Sequence, residues 1–180
     1  MKTGTKSLLF GVHQVLWHPL TVFLAWMSLY GWPNWKDIIC IIIHDWGYWQ
    51  SPNMDGAEGE KHPEFAARLA GMLFGETYRD LCLLHSRHYS RQLIREPSKL
   101  CWADKLSALY EPTWFYLFRA RLSGELFEYR KVAAEGGFFP LSSTDKEWFI
   151  WVRARLIKIG REQKGDAVPY VNPFRESEVK

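Results

Sequence analysis

Ile38-Ile39-Cys40-Ile41-Ile42-Ile43-His44-Asp45-Trp46-Gly47-Tyr48 is the stretch on which the reading of this chain turns. Six apolar residues run without interruption into an imidazole and a carboxylate. A buried run has no use for that pair unless something offsets the cost of desolvating it. A metal ion would do so by taking both groups as ligands. Alone, the pair reads more simply, with His44 capping a helix and Asp45 facing solvent, because short motifs recur by chance. The other histidines and one later aspartate reverse that preference.

Outward from this stretch the pattern is helical. Period-two alternation is nowhere sustained, while apolar residues recur at helical spacing throughout. The expected elements are a first helix from about Lys6 or His18 to Tyr30, then one from Trp35 to about Asp45 capped by Asn34. Residues 47–59, rich in Gly, Pro, Asn and Asp, form a loop directly after the His-Asp pair. Helices follow over about Lys61–Phe74, Glu76–Ile94, Pro97–Tyr110, Pro112–Ser123 and Glu125–Ala134. Ser142 or Ser143 caps a last helix to about Gln163, and Gly165–Lys180 is an extended, surface-lying tail. There is no internal repeat or linker, so the expectation is an all-α fold, a single helical bundle spanning residues 1–180.

Composition narrows the function classes. Apolar residues make up 47% of 180 and aromatics 16%, enough for a substantial core. A net charge of +3 falls well short of a dedicated nucleic-acid-binding face and suits a small anionic partner. Cys40, Cys82 and Cys101 are odd in number, without CxxC spacing, and read as buried reduced thiols of a cytoplasmic protein. Lys2 and Lys6 before an apolar stretch mimic a signal peptide, but His13, Gln14 and His18 interrupt it. The run from Thr21 to Trp32 is too short to span a bilayer.

All six histidines, His13, His18, His44, His62, His85 and His88, lie in the first half of the chain, on successive elements that a bundle can bring together. Asp104 interrupts the apolar face of Cys101-Trp102-Ala103-Asp104-Lys105-Leu106 and asks for a partner. His18, His44, Asp45 and Asp104 make a mixed nitrogen and oxygen set suited to Mn, Fe, Co, Ni or Zn. His62 and His85 can hold a second ion, with Asp45 bridging. Singly, each histidine has an ordinary structural explanation: His62 as a helix-opening residue, His85 and His88 as surface neighbours one turn apart, His13 as packing. Jointly they are a less ordinary coincidence.

In this order the residues resemble the HD-domain superfamily of metal-dependent phosphohydrolases. Its pattern is a His on an early helix, a His-Asp pair ending a later one, and an Asp further on. Here these look like His18, His44-Asp45 and Asp104, with His62 and His85 resembling the extra histidines of the dinuclear branch. The segment His18-Pro19-Leu20-Thr21-Val22 is similar to the start of that pattern, which favours His18 over His13 as first ligand. The similarity covers roughly residues 13–110. No Gly-Tyr-Pro motif follows, Trp46-Gly47-Tyr48-Trp49 lacks the acidic continuation of the (p)ppGpp hydrolases, and the last third matches no subfamily.

The resemblance implies a phosphohydrolase with two divalent transition metals, whose metal-activated water attacks a small anionic phosphate ester, a nucleotide among the candidates. Asp45 would be central to catalysis, His88 would give a proton to the leaving group, and Lys105, Lys61, Arg87 and Arg91 would meet the phosphate charge. Trp46, Tyr48 and Trp49 would stack on a substrate ring or serve as core. Two other readings fit the same ligands: a di-iron oxygenase on a small polar or phosphonate substrate, and a non-enzymatic helical binding module.

Overall fold

The apolar run does form a helix, and it stops two residues short of expectation. The computed structural model describes residues 1–54 and 56–164. Asn34 starts the helix with a capping box: its side chain accepts from the backbone N–H of Lys36 (2.9 Å) and Asp37 (3.1 Å), while Asp37 accepts from the Asn34 N–H (3.1 Å). The helix ends at Ile43, not Asp45, because Trp46–Tyr48 tightens into a 3-10 turn.

Described residues form ten helices and no strand: α1 Thr3–Phe10, α2 Trp17–Tyr30, α3 Trp35–Ile43, α4 Pro63–Phe74, α5 Glu76–Leu83, α6 Arg87–Gln92, α7 Lys99–Leu106, α8 Thr113–Ser123, α9 Glu125–Glu135 and α10 Asp145–Lys164. The all-α expectation holds. The expected tail, Gly165–Lys180, lies outside the described residues. No helix among the described residues is long and apolar enough to cross a membrane.

Boundaries depart from the sequence reading where tertiary contacts intervene. Of the two expected starts for the first long helix, His18 agrees with α2 and Lys6 does not, because α1 is a separate helix parted from it at Gly11, where a Cβ would lie 2.2 Å from the Glu125 carboxylate. Arg119 pins this break by donating to the carbonyls of Gly11 (2.6 Å) and Val12 (3.2 Å). The expected helix 76–94 is also two. Ser86 caps α6 by accepting from the His88 N–H (3.1 Å), and the Leu84 carbonyl accepts from the Ser98 N–H (3.0 Å) instead of continuing a helix. Ser98 then caps α7, leaving Pro97 outside it, and α7 runs into a 3-10 turn over Ser107–Tyr110. The last helix is capped by Thr144, not Ser142 or Ser143. Thr144 and Glu147 exchange cap hydrogen bonds at 2.8 to 3.2 Å.

The main core joins α2, α3, α4, α5, α7 and α10 through Val22, Trp26, Cys40, Ile41, Ala66, Ala70, Cys82, Leu100, Leu106 and Ile157. The alanines of α4 let α5 pack closely, so the two form a hairpin about Gly75. A second cluster joins α8, α9 and α10 around Tyr116, Leu117, Leu126, Trp148 and Phe149. All three cysteines are buried and free.

Candidate metal centre

Five helices and the turns beside them deliver six donors to one place. His18 lies in the first turn of α2, His44-Asp45 directly follows α3, His62 immediately precedes α4, His85 sits in the turn after α5, and Asp104 is on α7. His62 and His85 stand at the open end of the α4–α5 hairpin. Gly47 lets the loop return: a Cβ there would fall 1.9 Å from the His62 carbonyl oxygen. Only glycine permits that approach.

Two donor groups result. In the first, Nε2 of His18 and Nε2 of His44 each lie 3.1 Å from Asp45 Oδ2, and Asp104 Oδ1 lies 3.1 Å from His18 and 3.8 Å from His44. In the second, Asp45 Oδ1 lies 3.7 Å from His62 Nε2 and 3.6 Å from His85 Nε2. Both groups are spaced to hold a metal ion, and Asp45 contributes one oxygen to each.

The tautomers favour coordination. Nδ1–H of His44 donates to the Ile41 carbonyl (2.8 Å), that of His62 to the Gly59 carbonyl (2.7 Å) and that of His85 to the Cys82 carbonyl. Each donation commits Nδ1 to the backbone and leaves Nε2, the atom pointing into the site, as the one that an ion would take, in His44 by displacing a proton. His18 Nε2, His44 Nε2 and Asp45 Oδ2 are fully buried and have no hydrogen-bond partner. Buried polar atoms are seldom left so, and three converging ones match the donor set of a borderline transition metal.

Electrostatics agree. Burial opposes ionisation of Asp45, yet the imidazoles of His44, His13 and His18 outweigh it and hold the carboxyl well below its usual range. Burial opposes the proton on His44, and the Asp45 and Asp104 carboxylates outweigh that as well, raising its pKa well above the usual value. Burial and the neighbouring His85 instead lower the pKa of His62 to about 3, keeping it neutral and available as a ligand.

Four of the six donors, Asp45, His62, His85 and Asp104, line a cavity of about 580 Å³. Arg87, His88, Arg91 and Lys105 line it, with the first three exposed at its rim. Lys61 is exposed and outside this lining, in the 3-10 turn that ends just before His62. Tyr48 stacks on His62 with ring centres 4.0 Å apart, as part of the wall. Trp46 and Trp49 line a separate apolar groove with Leu9 and Phe65.

His13 stands beside the donor groups. Its Nδ1 lies 2.9 Å from both Glu125 Oε1 and Ser7 Oγ, and its ring lies edge-on to His18. Burial opposes its charge, but Asp45 and Glu125 carry its pKa up to about 9. Glu125 is fully buried and also accepts from the Val12 N–H (2.9 Å), Ser7 (2.7 Å), Tyr129 (3.1 Å) and Ser123. Sequence reasoning passed over Glu125. The only available signal was a carboxylate directly after Gly124, which also suits an exposed helix start.

No family model matches the chain, and no curated protein or solved structure is significantly similar to it.

Proposed function

We propose that the chain is a metal-dependent phosphohydrolase of the HD-domain kind that cleaves a small phosphate ester and uses two divalent ions. The observation that supports this is the division of Asp45, Oδ2 toward His18 and His44 and Oδ1 toward His62 and His85. A carboxylate shared between two buried donor groups is the arrangement of two-metal hydrolytic sites. When bound, ions there supply an acidified water and neutralise charge on a phosphoryl group.

The chain's own residues do the rest. Arg87, Arg91 and Lys105 draw the anion into the cavity and hold its outer oxygens, the arginines in bidentate fashion. His88, at the cavity mouth, gives a proton to the departing alcohol. Gly59, Ile41 and Cys82 carbonyls keep the ligand imidazoles in one tautomer throughout.

The test is elemental analysis of the purified chain together with a screen of phosphate mono- and diesters after loading with Mn, Fe or Zn. The expected result is about two ions per chain and hydrolysis that a chelator abolishes. Iron content with oxygen consumption and no hydrolysis would replace this reading with the oxygenase.

A further inference from the structure

A groove of about 250 Å³ runs between α7 and α10 and shares Arg87 and Lys105 with the metal cavity. Beyond those two cations its walls are mainly apolar, with Arg155 of α10 the one further charged side chain. Trp102 and Leu106 come from α7, and Trp151, Val152, Leu156 and Ile159 from α10. Two cations shared with the metal cavity and a mainly hydrocarbon remainder define an amphipathic cleft. Its charged end coincides with the rim that would hold a phosphate.

The lining also discriminates between kinds of apolar cargo. A nucleobase is recognised at its edge by amide, hydroxyl or carboxylate groups and on its face by a free aromatic ring. No Asn, Gln, Ser, Thr, Asp or Glu side chain lines this groove among the described residues. Trp151 already stacks on Phe139, with ring centres 5.2 Å apart at 30°, and the Arg155 guanidinium lies 5.6 Å from its ring centre. Four aliphatic side chains dominate the remainder. Such a surface gains from burying methylenes and presents a base edge only with Arg155, whose guanidinium already lies over the Phe138 and Trp151 rings.

We infer that the α7–α10 groove holds the aliphatic chain of the substrate, so that the ester cleaved is a phosphate ester of an aliphatic alcohol. The inference rests on the phosphohydrolase reading above. Its reaction balances simply: water oxygen forms a new bond to phosphorus, the P–O bond to the alcohol breaks, and a proton from water ends on the alcohol oxygen. The groove takes no part in that exchange; it holds the chain while Arg87 and Lys105, at the junction, face the phosphate.

The probe is a series of n-alkylphosphonates from methyl to decyl. They cannot be hydrolysed, and calorimetry follows their binding to the full Mn-loaded chain below their aggregation concentrations. Affinity should rise about threefold to fourfold per methylene until the groove is filled. Ile159→Asp and, separately, Trp102→Ala should flatten that rise while circular dichroism shows an intact fold. Adenosine monophosphate should bind no more tightly than methylphosphonate. Affinity independent of chain length, or adenosine monophosphate binding more tightly than octylphosphonate, would overturn the inference even if some other phosphate ester is cleaved. A chain-length rise without cleavage of octyl phosphate by the Mn, Fe or Zn protein would uphold the groove as a hydrocarbon site and bring down the phosphohydrolase reading instead.

Discussion

His62 and His85, 23 positions apart in the chain, meet with their Nε2 atoms 2.9 Å apart. Each ring already uses its Nδ1–H on a backbone carbonyl, so two lone pairs face each other. Neutral imidazoles in that pose repel unless a cation lies between them and Asp45 Oδ1. This contact therefore argues for the second ion independently of the first.

His62→Ala should lower the metal content of the saturated chain from about two ions to about one. Inductively coupled plasma analysis reads this directly. An unchanged count of two would show that the second ion is held elsewhere.

Asp45→Ala should remove both ions, because Asp45 serves both donor groups. Metal affinity is expected to fall by at least about 100-fold, the upper range seen even for residues that only support ligands. Far-ultraviolet circular dichroism should be nearly unchanged. Retention of either ion at full occupancy would sink the shared-carboxylate assignment.

Metal affinity should depend on pH with a defined sign. The two carboxylates raise the pKa of His44, so near neutrality its Nε2 carries a proton where an ion would bind. Proton and ion compete, and below that raised pKa the apparent Zn affinity should weaken by about tenfold per pH unit. Chelator competition at pH 6, 7 and 8 measures the slope. A flat profile would mean that His44 is not titrating against the ion.

Glu125→Gln should destabilise the fold by about 3 kcal/mol, because it leaves the groups around a buried carboxylate mispaired. Burial opposes the charge on Glu125, but hydrogen bonds from His13, Ser123 and the Val12 N–H lower its pKa. A depressed carboxyl contributes fully above its unfolded value of about 4.3, and that contribution fades as pH falls through the folded value. The gap between wild type and variant in urea unfolding should accordingly be wide at pH 7 and narrow toward pH 3. A gap constant with pH would remove the charged role assigned to Glu125.

The helical fold was legible because an apolar run such as Ile38–Ile43 and caps such as Asn34 are local signals. The six donors were legible through the pairing of His44 with Asp45 and the placement of the remaining histidines. What escaped was set by distant contacts. The break at 84–86 contains neither Gly nor Pro and follows from hydrogen bonds to Ser98 and within the His85 turn. Lys61 is next to His62 in sequence but is exposed and does not line the cavity. Glu125 and Arg119 reach the N-terminal segment from more than 100 positions away, and no window on the sequence spans that.

The hairpin about Gly75 makes the two donor groups unequal as tethers. Engaging Asp45, His62 and His85 closes the shorter excursion from the end of α3 to the turn after α5, 40 positions, part of which the α4–α5 packing already holds. Engaging His18, His44 and Asp104 ties α2, α3 and α7 together across 86 positions of chain. Closing a longer excursion restricts the unfolded chain more. An ion at the first group therefore acts as a clasp on most of the bundle, and one at the second as a pin between the end of α3 and one hairpin's mouth. Removing metal stepwise should first loosen that mouth and only afterwards the fold, leaving a singly loaded chain that is folded but silent.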